Sequence, residues 1–212
     1  MQAFTLIELA VIIFVLILVV VAIIPGIRAA KRSALRRDCV NNLKQVGLAY
    51  RTWPMGSKAE FPQSVEVTNG GSKEWLAAGQ LFLHYRTMSN ELTTPKILIC
   101  PADNLKVPAT SFGAGFSDTN SSYFVSCDAS ETYPQTFLTG DRNLALSGKA
   151  VQAGMLILTT NSPAALSWTK SIHDSCGNIC LGDGSVQQFS DQKRLNAAVR
   201  YQDLATNRLV LP

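Results

Sequence analysis

The sequence predicts an α+β protein in which a long N-terminal hydrophobic helix, a stem, packs on an antiparallel β-sheet head. Three observations carry that expectation. Residues 4–24 form an apolar run, residues 28–53 carry an apolar stripe at helical spacing, and short β-branched and aromatic segments separated by turn residues follow in 54–212. A chain of 212 residues holds one sizeable domain plus an appendage. The expected organisation is a stem at 4–53, with 4–24 transmembrane and 28–53 amphipathic, and a globular α+β head at 54–212.

The stem follows from periodicity and length. Between Phe4 and Ile24 only Thr5 and Glu8 are polar, so 21 residues reach bilayer-spanning length. The following "PGIRAAKRSALRRD" brings no A-x-A pattern before its charges, so the run reads as a retained membrane helix and not as a discarded signal. Arg28, Lys31, Arg32, Arg36 and Arg37 form a basic collar with no acid among them, suited to lipid headgroups. Leu35, Cys39, Leu43, Val46, Tyr50 and Trp53 then recur at steps of three and four, which is one face of a helix. Pro54 holds Trp53 extended and ends it, and Pro25-Gly26 bends the axis by removing a backbone bond. Fifty residues at the helical rise span roughly 75 Å, enough for one half in the bilayer and one half against the head.

Head elements are read from local chemistry. "SKEWLAAGQLFLHYRTM" (72–88) reads as a helix capped by Ser72. "PKILICP" (95–101), "SSYFVSC" (121–127) and "AGMLILTT" (153–160) read as strands, and "ATSFGAGFSDTNSS" as loop. "GNICLGDGSVQQFS" (177–190) reads as a hairpin, with Asp183-Gly184 taking the positive φ values of a tight turn. A helix over 191–201 and a terminal "RLVLP" strand finish the chain.

Composition excludes some functions. The net charge is +4, but from residue 54 onward 12 Lys and Arg face 13 Asp and Glu. The head therefore lacks the basic clustering of a nucleic-acid binder, and no direct nucleic-acid contact is expected. His173 and Asp183 can be written as an acid–base pair with Asp141 or Asp174 as orienter. No nucleophile motif, phosphate-cradling glycine loop or HExxH pattern accompanies them. The simpler reading has His173 bonding backbone near the hairpin and Asp183 holding the turn, so no enzyme is expected. With only two histidines, a histidine-rich metal site is excluded.

"FTLIEL" followed by a long apolar run resembles the N-terminal motif of type IV pilins and type II secretion pseudopilins. The resemblance implies that a prepilin peptidase cuts between Ala3 and Phe4, leaving 1–3 as a residual leader, and methylates the new amine of Phe4. Glu8 falls on the family's glutamate, which pairs with the N-terminal amine of a neighbouring subunit as helices bundle. Pro25 falls where pilins carry a helix-bending proline. An ionised carboxylate in lipid is penalised, and assembly that brings a cation relieves the penalty. The leader "MQA" departs from the pattern, being uncharged and ending in Ala where the family has Gly. His173, nine residues, then Asp183-Gly184 looks like the H-X9-DG motif of a pseudopilin-like group abundant in planctomycetes and verrucomicrobia. "CVNNLKQVGLA", "ILICPAD", "SYFV", "GDRN" and "GNICLGDGSV" resemble the same group.

The implied function is a structural subunit that assembles through its N-terminal helix into a type IV pilus or type II secretion pseudopilus-like filament. The implied partners are other pilin-like subunits, the prepilin peptidase, the inner-membrane assembly platform and the lipid bilayer. The implied location is the bacterial inner membrane, single-pass, with the head in the periplasm and later in an extracytoplasmic filament. The positive-inside rule would place the collar in the cytoplasm; the tighter motif match decides for the periplasmic head. The alternative is a membrane-anchored monomer whose head is a binding or enzymatic module, exported by a pilin-type signal.

No cofactor is expected beyond a structural calcium ion. Asp141, Asn143, Asn178 and Asp183 offer the oxygen donors calcium prefers, and major pseudopilins carry such an ion near the C-terminal end of the head. Five cysteines, Cys39, Cys100, Cys127, Cys176 and Cys180, in an oxidising compartment suggest disulfides. Cys39 and Cys100 both sit in motifs of the group, and a bridge between them would tie stem to sheet at about 3 to 5 kcal/mol. Cys176 and Cys180 can pair locally, or either with Cys127. Buried thiols without any bridge are the alternative, and the Cys-x3-Cys spacing alone is a weak zinc signal.

Overall fold

The computed structural model describes residues 6–53, 60–160 and 165–212. Ala3, Phe4 and Pro54 lie outside them, and with them the processing site and the proline expected to end the stem. Helix α1 runs Leu6–Thr52 as one element with Pro25 inside it. It is long and apolar enough to cross a membrane, and residues 6–33 are exposed along its whole first half. The second half is the opposite. Cys39, Leu43, Val46 and Tyr50 of the expected stripe are fully buried, and Leu35 and Trp53 are half-buried at its ends. Each of the large apolar groups contributes about 1.5–3 kcal/mol by leaving water.

The head holds a six-stranded antiparallel sheet in the order β5-β9-β1-β2-β7-β8. Its strands are β1 Tyr123–Ser126, β2 Phe137–Asp141, β5 Gly154–Thr159, β7 Gly177–Leu181, β8 Val186–Phe189 and β9 Thr206–Leu211. A three-stranded sheet in the order β4-β3-β6 comprises β3 Leu144–Leu146, β4 Lys149–Ala150 and β6 Leu166–Trp168. Helix α1 packs against β2, β7 and β8, against the 3-10 turn Pro95–Leu98 and against α4 (Ser89–Leu92); α5 (Gln192–Arg200) packs against β5, β6 and β8. The central strands of the large sheet are thus buried on both faces, while β5 and β8 at its edges keep exposed positions. Along β1, Val125 joins the core that contains Val46 and Tyr50, while Phe124 joins the core that contains Leu195 and Val199. Cys180 and Ile179 divide the same way along β7. Two covered faces explain why β1, β2 and β7 are buried at every position, unlike the alternation of a sheet with one wet face.

Three local expectations are corrected. Residues 72–88 are not one helix but α2 Lys73–Ala77 and α3 Leu81–Thr87, broken where Gly79 adopts φ +78°. Ser72 makes no side-chain cap; its hydroxyl is bound to His84 Nδ1 at 2.7 Å instead. "PKILICP" is a 3-10 turn over Pro95–Leu98, because Pro95 presets the helical φ at the first position. In the 177–190 hairpin only Gly184 takes a positive φ (+81°). The Gly184 amide donates to Leu181 O and the Leu181 amide to Ser185 O, which is a three-residue loop with its glycine in the left-handed position.

Gly47 lets the stem approach the sheet closely. A Cβ there would stand 2.7 Å from Cys180 Sγ and 3.4 Å from Gly184 O. Overpacking costs about 1–3 kcal/mol, against up to about 1 kcal/mol gained from alanine's helix propensity. Gly47→Ala is therefore expected to destabilise the head by about 1–2 kcal/mol in denaturant unfolding. The same change made in a Cys180→Ala background is expected to be neutral or stabilising; an equal loss in both backgrounds would refute the contact.

Candidate functional site

Asp141 ends β2 and is fully buried. Its Oδ2 accepts from the Asn178 backbone amide at 2.8 Å and from Asn178 Nδ2 at 2.9 Å, and its Oδ1 accepts from the Cys39 thiol of the stem at 3.0 Å. Burial pushes the Asp141 carboxyl up to about 6, and the Cys39 and Asn178 hydrogen bonds oppose that rise. Burial likewise raises Cys39 well above an ordinary thiol. The Tyr123 hydroxyl lies 3.4 Å from Cys39 Sγ.

His173 enters the same pocket from the loop before β7. Its Nε2 lies 3.1 Å from Cys100 Sγ and 3.7 Å from Asp141 Oδ2. Burial, and then the nearby positive charge of Arg36, hold its pKa down to about 4. At neutral pH the imidazole is therefore uncharged, and its approach to Asp141 is not an ion pair. The His173 side chain is 1% exposed, although the residue as a whole is half-buried. His173, Asp174 and Ser175 all have left-handed φ, at 53°, 54° and 66°, a conformation that costs about 1–2 kcal/mol per non-glycine residue. Asn143 holds this loop: its Nδ2 donates to Thr169 O, Ile172 O and Cys176 O at 3.0, 3.0 and 3.2 Å. Strain maintained by such surroundings concentrates where a side chain has to be aimed.

Cys39, Cys100, Asp141 and His173 each offer one ligand atom, and the four atoms all lie within 4.8 Å of one another. They come from α1, from the segment after Pro95–Leu98, from β2 and from the loop before β7. Beside them Asn42 Nδ2 donates to Ile99 O at 2.9 Å. Asp103 receives Arg142 Nε and Nη2 at 2.7 and 2.8 Å. The quoted motifs thus meet in space: "CVNNLKQVGLA" supplies Cys39 and Asn42, "ILICPAD" Cys100 and Asp103, "GDRN" Asp141 to Asn143, "SYFV" Tyr123 and "GNICLGDGSV" Asn178. An open cleft of about 360 Å³ adjoins the cluster, lined by Arg32, Arg36, Arg37 and His173 among others. Arg36 is half-buried and its Nε comes within 3.5 Å of Asn178 Oδ1, so this member of the collar turns to the head.

The expected calcium set does not assemble. Asp141 and Asn178 are bonded to each other, and Asn143 Nδ2 donates to three carbonyls. Although Asn143 Oδ1 is buried with no hydrogen-bond partner among the described residues, one such oxygen does not make a calcium shell. Asp183 sits at the far end of β7, roughly 17 Å away along the strand, where its carboxylate accepts from the Ser185 amide at 2.8 Å and its carbonyl from Arg51 Nη1 at 3.1 Å. His173 and Asp183 are for the same reason not a catalytic pair: the nine residues between His173 and Asp183-Gly184 carry the length of one strand. None of the five cysteines is bridged. Cys39 and Cys100 are neighbours, as a stem–sheet tie required, but as free thiols facing Asp141 and His173. Cys176 and Cys127 are half-buried and Cys180 lies under Gly47, all three as free thiols. Arg36, Tyr123 and the Asp103–Arg142 pair were not anticipated as site residues; the motif stretches containing Tyr123, Asp103 and Arg142 were the available signal.

No protein-family model matches the chain, and neither a curated protein nor a solved structure is found to be similar to it. The resemblance to pilins rests on the chain's own motifs.

Proposed function

We propose that the protein is a membrane-anchored structural subunit that assembles through α1 into a pilus- or pseudopilus-like filament, its head in the periplasm and later on the filament surface. The observation that carries this reading is the division of one helix. Residues 6–33 are exposed throughout, with Phe14, Leu16, Ile17 and Val21 each more than half exposed, while Cys39 to Tyr50 of the same helix builds the core of the head. An apolar surface of that extent requires lipid or other copies of the helix to cover it. A rigid connection to the head then makes every helix-to-helix contact also a placement of the head.

Glu8 is the specific element. An ionised carboxylate at bilayer depth is stabilised by a cation brought by a neighbouring helix, and the amine of a subunit processed before Phe4 is such a cation. Other pilin-like subunits, the prepilin peptidase and an inner-membrane assembly platform are the partners this reading requires.

Glu8→Ala is expected to reduce the protein in sheared surface filaments at least about tenfold, as a lost buried charge pairing of 1.4 kcal/mol or more implies. The amount of folded, membrane-bound protein is expected to stay unchanged. N-terminal mass spectrometry of the native protein is expected to begin at N-methylated Phe4. Absence of the wild-type protein from sheared filaments, or an unprocessed N-terminus, would favour the anchored monomeric module instead, and undiminished incorporation of Glu8→Ala would remove Glu8 from the assembly contact.

A further inference from the structure

We propose that Cys39, Cys100, Asp141 and His173 form a structural zinc site that joins the stem to the head. The site stands on the head's own geometry and does not depend on filament assembly. The donor set decides the metal class. Two thiols and one imidazole select a borderline-soft ion such as Zn²⁺, whereas calcium and magnesium take all-oxygen shells. The spacing also suits it. Tetrahedral zinc with its usual bond lengths separates ligand atoms by roughly 3.3–3.8 Å. The observed separations are 3.0 Å for Cys39 Sγ to Asp141 Oδ1, 3.1 Å for Cys100 Sγ to His173 Nε2 and 3.7 Å for His173 Nε2 to Asp141 Oδ2. The first of these is measured to one carboxylate oxygen and the last to the other, and the four ligand atoms all lie within 4.8 Å of one another. Side-chain shifts of up to roughly 1 Å bring one oxygen, both sulfurs and the imidazole nitrogen to one centre.

The surroundings are those of a closed site. Cys39 and Asp141 are 0% exposed, Cys100 1% and the His173 side chain 1%, which leaves no open position for a substrate and fits a structural ion. Asn178 fixes Asp141 Oδ2 with two donors, and Tyr123 reaches Cys39 Sγ, the kind of outer hydrogen bonding that orients metal ligands. Asn143 and the strained run at 173–175 fix the imidazole. Two thiolates and a carboxylate around Zn²⁺ leave one net negative charge, and Arg36 is close enough to act on both Asp141 and His173. On binding, each thiol forms a Zn–S bond and loses its proton to solvent; no electron is transferred. The rival state of the same atoms is a Cys39–Cys100 disulfide, which removes both thiolates.

The test uses the full chain in mild detergent, isolated from its native membrane without added reductant, its metal content and thiols counted, and then reduced, stripped with chelator and titrated with Co²⁺ and Zn²⁺. The expected result is about one zinc per chain as isolated, all five thiols free on denaturation, and intense thiolate-to-cobalt charge-transfer and tetrahedral d–d bands on Co²⁺ addition, displaced by Zn²⁺. Cys100→Ser is expected to weaken binding more than about 100-fold, above the effect of a typical outer-shell change, while Cys127→Ser leaves the spectrum intact. If Cys100→Ser does not fold, the wild-type cobalt spectrum decides. A Cys39–Cys100 disulfide peptide in the native protein, or reduced protein that gives no thiolate–cobalt band, would overturn the proposal.

Discussion

Arg142→Ala is expected to destabilise the head by about 3–5 kcal/mol, the usual consequence of stripping one partner from a buried ion pair. Arg142 meets Asp103 in a two-pronged bond at 2.7 and 2.8 Å, with the carboxylate side chain 1% exposed and the guanidinium 18%. Burial alone would raise the Asp103 pKa; the Arg142 guanidinium, with help from the Leu105 amide, holds it below the ordinary carboxylate range. Without Arg142 the carboxylate faces the full burial penalty with only the Leu105 and smaller contacts left. Arg142→Lys restores charge but not the planar fork, and falls between wild type and alanine. A matched apolar pair, Asp103→Leu with Arg142→Met, is expected to recover most of the loss, since burying two charges is itself costly. Urea unfolding of the full chain in mild detergent, followed by tryptophan fluorescence, reads all three. A loss below about 1 kcal/mol for Arg142→Ala would mean that the pair behaves as a solvated surface contact. The pair also tethers the segment after Cys100 to the residue after Asp141, so its loss is expected to loosen the four-donor cluster.

The stem was legible because its two halves carry different, strong patterns: continuous apolar residues to Ile24 and a three-and-four stripe ending at Trp53. Segments with one clear local preference were also legible, among them β1, β5, the β7–β8 hairpin, α5 with its Asp191 cap, whose carboxylate accepts from the Arg194 amide, and β9. The helix over 72–88 was not, because the pattern hid a break that one glycine at φ +78° imposes. Strand β2 was missed because "FLTGD" ends in turn-forming residues; tertiary burial on both faces outweighs that local preference. Gly140 is needed there since a Cβ would stand 2.7 Å from Asn178 O and 2.9 Å from the Phe124 ring. At the site, each of the four clustered residues lay in a stretch already singled out, but sequence carries no distance between Cys39 and His173. Asp141 and Asn178 were sensible oxygen donors; only the fold shows them bonded to each other, with Asp183 removed by the length of a strand.

Acidification below pH 6.5 is expected to destabilise the protein steeply through His84. This imidazole is fully buried between Tyr50 of the stem and Ser72, with Nε2 2.6 Å from the Tyr50 hydroxyl and Nδ1 2.7 Å from the Ser72 hydroxyl. The other ring in contact is Tyr85. Burial raises both tyrosines well above their ordinary range, so the groups facing His84 are neutral and supply no counter-charge. Burial lowers the His84 pKa to about 3, against about 6.5 in an unfolded chain. Between those values the unfolded chain holds a proton that the folded protein does not, so stability rises with pH by about 1.4 kcal/mol per unit. The stabilisation is complete above pH 6.5 and is lost as pH falls toward 3, on the order of 4 kcal/mol by pH 3.5. His84→Gln keeps a donor and an acceptor but cannot take the charge. It is expected to be less stable than wild type at pH 7, by about 1–2 kcal/mol from imperfect hydrogen bonding, and yet to lose stability more slowly on acidification. The two stability–pH curves should therefore cross between about pH 5 and 6. Parallel curves would mean that His84 takes up its proton over the same pH range in the folded and unfolded chain, so that burial beside Tyr50 does not shift it.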